Sequence, residues 1–288
     1  MSSARVMPTS APVASTADRV RQAAVLLTTV ATIAVNGAAN AVPLNGQGTG
    51  EISDRFDVFV IPAGYVFGIW GLIYLGLIAY AVVQALPGRA VDRRLRSIGW
   101  PAVLANVLNG VWILAWHWEL FPLSLALMVG LLATLVVIGE RLAIGRVATR
   151  GLDTWAVNVP WTVYLGWITV ATITNVAAVL AAAGFDGAGI EPATWAAGVL
   201  LTGVAIGGWW LASRRAVAYG LVLAWAYAGI AVKEQATEIV AGTALLGAAA
   251  FAVMALAIAA RRLREARDAR AVRAAVAGGD ADDRRSAR

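Results

Sequence analysis

Tyr164, Trp167, Ala171 and Asn175 follow one another at intervals of three, four and four residues in the stretch YLGWITVATITN. On an α-helix these positions share one face. The stripe is aromatic at one end, small in the middle and amide at the other. Rings and amides of this kind do not abstract protons or attack carbonyls. They stack on flat apolar molecules and fix polar edges. Asn109, Trp112 and Trp116 repeat the combination at about one-turn spacing, and Asn36 and Asn40 are also one turn apart. Asn106 and Asn158 are further amides in apolar segments. Such amides serve either as glue between helices or as polar fixers of a ligand. Glue alone does not need large indoles. Trp112, Trp167, Trp209 and Trp210 lie inside apolar segments, away from any interfacial belt, and they favour a pocket.

Composition narrows the chemistry further. The chain has no Cys and one His, His117. Disulfides, thiolate metal sites, Cys nucleophiles and a multi-His metal cluster within one chain are excluded. No acidic pair sits in an apolar segment, so no catalytic residue and no metal ligand is assigned. His117 and Glu119, beside Trp116 and Trp118, have the types for a proton site or an axial haem ligand. A solvated pair at the membrane interface is the simpler reading. The same holds for Lys233 and Glu234.

The elements that must carry these residues are membrane helices. Of the 288 residues, 60% are hydrophobic and 14% charged, against about 25% charged in soluble domains. An all-α integral membrane protein is expected. Apolar stretches of about twenty residues, the length that crosses a bilayer, recur at about 20–43, 60–86, 98–118, 121–143, 154–183, 193–213, 216–233 and 237–261. That predicts about eight transmembrane helices, with seven as the alternative where Glu119–Pro122 and Arg214–Arg215 leave very short connections. Arg89, Arg93, Arg94 and Arg96, then Arg141, Arg146 and Arg150, then Arg214 and Arg215, lie on alternate connections, and a basic tail starts at Arg261. The other connections carry Glu51, Asp54, Asp57, Glu119, Asp186, Glu191 and Glu238, with only Arg55 and Lys233 as cations. The positive-inside rule then places both termini in the cytoplasm and requires an even number of spans. The net charge of +6 is thus an orientation signal and not a nucleic-acid footprint. Residues 1–19, rich in Ser, Ala, Pro and Thr, read as a disordered cytoplasmic N-terminus. Residues 262–288 read as a basic, helical cytoplasmic tail, solvated or lying on anionic lipid. Gly64 and Gly68, and Gly203 and Gly207, have the spacing that permits close helix approach.

Three stretches together resemble the tryptophan-rich sensory protein, or translocator protein (TspO/MBR), family. They are PAGYVFGIWGLIY at 62–74, LNGVW at 108–112 and YLGWITVATITN at 164–175, in the family's order. The likeness covers about residues 20–183. Ala63 and Tyr65 stand where the family prefers Pro and Trp, and the family's sterol pattern after the fifth-helix Tyr is absent. The resemblance implies a five-helix bundle over 20–183, with three additional helices over 184–261 outside that core. It also implies a pocket near the helix ends, capped by the first loop and lined by Tyr65, Phe67, Trp70, Tyr74, Asn109, Trp112, Tyr164, Trp167, Ala171 and Asn175.

The implied function is a membrane sensor or carrier for a flat hydrophobic ligand such as a tetrapyrrole. No cofactor is required, and porphyrin or haem would be a ligand. The implied partners are that small molecule, the lipid bilayer and a second copy in a homodimer, with no nucleic acid. A bacterial plasma membrane is the expected location. The competing readings are a secondary transporter of a small hydrophobic solute and a light-dependent porphyrin-degrading enzyme in which Trp167 takes part. The first lacks coupled ionisable residues. Enzymatic turnover is the less favoured reading.

Overall fold

The computed structural model describes residues 13–42, 44–56 and 58–286, with side chains as far as 271. Every regular element among them is helical. In chain order the α-helices are α1 (Thr16–Ala41), α2 (Thr49–Asp54), α3 (Ile69–Ala85), α4 (Arg93–His117), α5 (Phe121–Arg141), α6 (Val159–Ala182), α7 (Pro192–Arg214), α8 (Val217–Lys233) and α9 (Glu238–Ser286). Seven of them are long and apolar enough to cross a membrane, counting the turn from Gly64 with α3 and the turn from Asp153 with α6. The seventh predicted span, α8, has 17 residues. At the rise of an α-helix it reaches about 25 Å, short of a hydrocarbon core of about 30 Å. The chain is an integral, multi-pass, all-α membrane protein.

The helices form two compact units. The first holds the chain up to Val58 together with Phe67–Asp186; the second holds Phe59–Val66 and the chain from Gly187 onward. In the first unit α1 packs on α3 and α4, α3 on α6, α6 on α5, and α5 on α4. Five helices therefore close a ring. Gly76 of α3 makes one close approach possible: a Cβ there would come within 2.9 Å of Pro160 on α6.

The ring is tied at one end by charge. Helix α1 begins at Thr16, earlier than the expected disorder to residue 19, because Ser15 and Asp18 form a reciprocal cap on its first turn. Residues 1–12 lie outside the described part. Asp18 also pairs with Arg21 and with Arg96 of α4, and Arg21 donates to the Ala90 carbonyl at 2.8 Å. Asp18 and Arg21 are both buried. Asp18 falls in the stretch expected to be disordered and Arg96 among the expected loop cations, yet both lie in helices, α1 and α4. Gly99 is what lets Arg21 lie flat, since a Cβ on Gly99 would overlap the Arg21 side chain. At the same end a π-helical turn, Asp153–Asn158, leads into α6. There Asn158 accepts from Arg94 at 2.9 Å. This amide caps a cation; it does not face a ligand.

In the second unit α9 packs against α8 and α7. The Tyr227 hydroxyl donates to the Leu200 carbonyl at 2.9 Å, and its ring stands edge-on to Phe251. Gly207 admits Leu223 and Phe251, whereas Gly64 and Gly68 have nothing within 4 Å of where a Cβ would lie. Only the Gly203–Gly207 pair therefore contributes close packing through its second glycine. Helix α9 continues past the apolar stretch into the basic tail, and residues 261–271 are exposed.

Substituting Gly99→Ala is expected to destabilise the first unit by about 1–3 kcal/mol through overpacking against Arg21. Thermal unfolding in detergent would show it, and an unchanged midpoint would show that Arg21 is not held there.

Candidate ligand-binding site

The interior of the five-helix ring is built around Trp70. It stands at the start of α3, one turn before Tyr74, with which it stacks at 5.4 Å between centroids. Trp112 of α4 stacks on it at 6.5 Å, and Trp116 stacks on Trp112 at 6.1 Å. Tyr164 and Trp167 of α6 meet Trp70 edge-on at 6.1 and 6.2 Å, and Phe67 stands edge-on to Trp167 at 5.5 Å. Offset-stacked and edge-to-face pairs of this kind are favoured over face-to-face sandwiches. Seven of the ten residues expected to line a pocket are thus brought together: Phe67, Trp70, Tyr74, Asn109, Trp112, Tyr164 and Trp167.

A polar relay fixes this cluster. Asn109 Nδ2 donates to the Tyr164 hydroxyl at 2.7 Å, and Asn109 Oδ1 accepts from Asn36 Nδ2 at 2.7 Å and from the Thr32 hydroxyl at 3.2 Å. Asn36 Nδ2 also donates to the Thr32 carbonyl at 2.8 Å. Three helices, α1, α4 and α6, are joined through one carboxamide. Thr32, Asn36, Asn109 and Tyr164 are all at most 3% exposed. The stripes of α4 and α6 meet at Asn109 and Tyr164, and their indoles meet through Trp70.

The remaining three residues lie elsewhere. Asn175 is buried and shares contacts at 3.4 Å with Ser124 of α5, which is glue between neighbouring helices. Ala171 is half-buried on the stripe between Trp167 and Asn175. Tyr65 belongs to the second unit, where its ring stands edge-on to Trp225. Two rings were absent from the expected lining. Trp161 stacks on Tyr164 at 6.3 Å, and Tyr80 stands edge-on to Trp161 at 5.0 Å. Trp161 lies one turn before Tyr164, so helical spacing could have found it.

Among the described residues, four donors in this cluster are buried without a hydrogen-bond acceptor: Trp112 Nε1, Trp161 Nε1, Trp167 Nε1 and the Tyr80 hydroxyl. Trp112 and Trp167 flank the same ring, Trp70. An unmet buried N–H costs about 1–3 kcal/mol. No charged side chain takes part in the ring contacts or in the relay.

One end of the cluster is covered by the first loop. His117 is fully buried, which corrects the expectation of a solvated interfacial residue. Its Nδ1 lies 3.2 Å from the Leu44 carbonyl and its Nε2 2.8 Å from the Thr49 hydroxyl. A carbonyl only accepts, so Nδ1 carries the proton and Nε2 accepts from Thr49. Both ring nitrogens are therefore occupied by the loop, and the one lone pair, on Nε2, is taken by Thr49 and is not free for iron. Asn45 donates to the His117 carbonyl at 3.1 Å, and Trp116 Nε1 donates to the Thr49 carbonyl at 3.4 Å. The Phe56 ring packs against Trp116 and Phe121. Glu119 accepts from Gln47 at 3.0 Å and pairs with Arg55 at 2.9 Å. The Gln47 hydrogen bond, and then Arg55, hold the Glu119 carboxyl below its ordinary range.

Two outcomes follow for the loop. His117→Phe is expected to raise amide hydrogen exchange across 48–56 by about tenfold or more, since it removes two hydrogen bonds of about 1 kcal/mol each. The carboxylate of Glu119 contributes its tie fully above the carboxyl's ordinary pKa, and that contribution is lost as pH falls through its lowered value. Protection of the loop amides, taken relative to their intrinsic exchange rate at each pH, is therefore expected to fall on acidification below the usual carboxylate range, and Glu119→Gln is expected to flatten that part of the profile.

No curated protein and no solved structure matches the chain. The sequence pattern of the TSPO-like protein family matches residues 22–257. This stretch runs from α1 into α9, so α7 and α8, expected to lie outside the family's core, fall within the matched region. The match covers most of the molecule, and the chain belongs to the TSPO-like protein family.

Proposed function

We propose that this protein is a membrane sensor or carrier that binds a flat, hydrophobic ligand against the Trp70 cluster, with a porphyrin as the representative shape. The observation that carries the reading is the pair of buried, unmet indole N–H groups of Trp112 and Trp167, both of which contact Trp70. Aromatic faces supply area for a planar body, and the two N–H groups supply donors for acceptor atoms at its edge. With no cation among these groups, acidic substituents of such a ligand must reach solvent or stay outside, because an unpaired buried carboxylate is costly. The docked loop, 44–56, excludes water from the Trp116 side. The charge pattern supports an orientation with both termini cytoplasmic and the His117 end on the opposite side, in which the 17-residue α8 crosses as a short eighth span. Single Ser15→Cys and Gly50→Cys variants, each the only thiol in the chain and both at exposed positions, would report the two sides by membrane-impermeant thiol labelling in intact cells. Labelling of position 15 before lysis would contradict the orientation.

The binding reading is tested by titrating the purified protein in detergent with protoporphyrin in the dark, following Trp fluorescence and porphyrin absorbance. Saturation near one ligand per chain is expected. Trp167→Ala is expected to weaken it about tenfold or more, in line with an aromatic contact and a donor lost together. Binding that never saturates, or that ignores the substitution in a folded variant, would refute the reading. Illumination of the saturated complex would then show whether the porphyrin is consumed.

A further inference from the structure

The Asn109 relay joins α1, α4 and α6 but does not reach α3, the helix that carries Trp70 and Tyr74. A second group of polar atoms lies within the same ring, one turn nearer the Asp18 end. Helices α4 and α6 run in the same sense: Arg94 meets Asn158 where both begin, and Asn109 meets Tyr164 further along. Asn106 and Trp161 each precede that second pair by three residues, about 4.5 Å along a helix axis. They therefore stand at about one level. Helix α3 runs the opposite way. It meets Tyr164 through Trp70 near its start and Trp161 through Tyr80 further on, with the Tyr80 and Trp161 rings edge-on at 5.0 Å.

Each of these three side chains buries a polar atom that the protein leaves unmet: Trp161 Nε1, the Tyr80 hydroxyl and Asn106 Oδ1. Tyr80 and Trp161 are 1% exposed and Asn106 is 2% exposed. The amide of Asn106 is fixed in direction. Its Nδ2 donates to Thr29 at 3.0 Å and to Thr28 at 3.2 Å, and Thr28 spends its own proton on the Ala24 carbonyl at 2.7 Å. A flipped amide would set Oδ1 against a Thr28 oxygen with no proton to give. Oδ1 therefore stays on the unmet side. Ala102, one turn before Asn106 and also buried, ends at Cβ and leaves room beside the amide. An indole only donates, a carboxamide oxygen only accepts, and a phenol can donate. Two donors and one acceptor at one level are the complement of one water molecule, and about three hydrogen bonds is the usual number for a buried one. We propose that Tyr80, Trp161 and Asn106 form a buried water site, separate from the Trp70 cluster and on the other side of the Asn109 relay. The water accepts from Trp161 and Tyr80 and donates to Asn106. It joins α3 to α4 and α6, and through Asn106 to Thr28 and Thr29 of α1. The site stands whether or not the Trp70 cluster binds a porphyrin.

The test uses the full chain in detergent, isotope-labelled at the indole nitrogens, with water itself as the probe. Trp161→Phe assigns the Trp161 N–H signal in the nuclear magnetic resonance spectrum. A magnetisation-transfer cross-peak between that N–H and a long-lived water is expected in the parent and is expected to be lost in Asn106→Leu. Transfer relayed by the Tyr80 hydroxyl would survive that substitution, so the loss separates a bound water from a relay. Thermal unfolding gives an independent readout. Removing a buried hydroxyl that has no partner raises stability, whereas removing one bonded to a held water lowers it. Tyr80→Phe is therefore expected to lower the midpoint by about 2–4 °C. Tyr80 and Asn106 share no direct hydrogen bond, yet the double variant is expected to lose less than the two single losses together, by a similar shift. If Asn106→Leu fails to fold, because it also gives up the ties to Thr28 and Thr29, the parent cross-peak and the sign of the Tyr80→Phe shift still decide. No cross-peak at Trp161 in the parent, a cross-peak that survives in a folded Asn106→Leu, a raised midpoint in Tyr80→Phe, or additive losses would overturn the water site.

Discussion

A polar group inside a bilayer must find its partner within the protein, and in the first unit that requirement converges on the side chain of Asn109. Its carboxamide has one acceptor and one donor side. The acceptor takes Asn36 and Thr32 from α1, and the donor takes Tyr164 from α6. Interhelical hydrogen bonds in membranes are individually modest, about 0.6 kcal/mol on average. Their value here is geometric. One planar group sets the rotation of three helices about their axes, and that rotation decides which aromatic residues face inward. Asn106 makes a parallel tie, donating to the hydroxyls of Thr28 and Thr29. Trp112 lies almost one turn beyond Asn109 and Trp167 one turn beyond Tyr164, so fixing the amide fixes the indoles.

What the relay leaves unmet is as informative as what it satisfies. The Asn109 relay is paired, while three indole N–H groups, the Tyr80 hydroxyl and the Asn106 amide oxygen are not. Aromatic residues supply their apolar area whether or not the N–H is met, so packing tolerates the deficit. A ligand with acceptors at its rim would remove part of it on binding. The covering loop is specified to a different degree. It is tied by the buried imidazole of His117, by Asn45, and by Gln47 and Arg55 at Glu119, where the partly exposed charges meet competition from water.

The helices and the stripes were legible because both are periodic. Apolar length reveals spans, and spacing of three and four reveals a shared face, so Tyr164, Trp167, Asn109 and Trp112 could be grouped before any packing was known. Destinations that depend on distant chain were not legible. Tyr65 sits in the same motif as Phe67 and Trp70, yet its partner Trp225 is contributed by a helix far along the sequence. His117 looks interfacial by position, and only the return of residues 44–56 buries it. Asp18 was hidden by the Ser- and Ala-rich composition around it, although Ser15 and Asp18 have the spacing of a helix cap. The GxxxG spacing alone did not discriminate, because Gly64 and Gly68 face open space while Gly207 admits Leu223 and Phe251.

The central claim, that one carboxamide orients the helices carrying the aromatic site, is tested most directly by a double-mutant cycle. Asn109→Leu, Tyr164→Phe and the double variant would be compared by thermal unfolding in detergent. A coupling of about 0.6–1.7 kcal/mol is expected, the range of hydrogen bonds between membrane helices. The near-ultraviolet dichroism of the tryptophans is expected to change in Asn109→Leu, since that substitution removes the joint to α1 as well. Additive effects on stability, with an unaltered tryptophan spectrum in all three variants, would contradict the account.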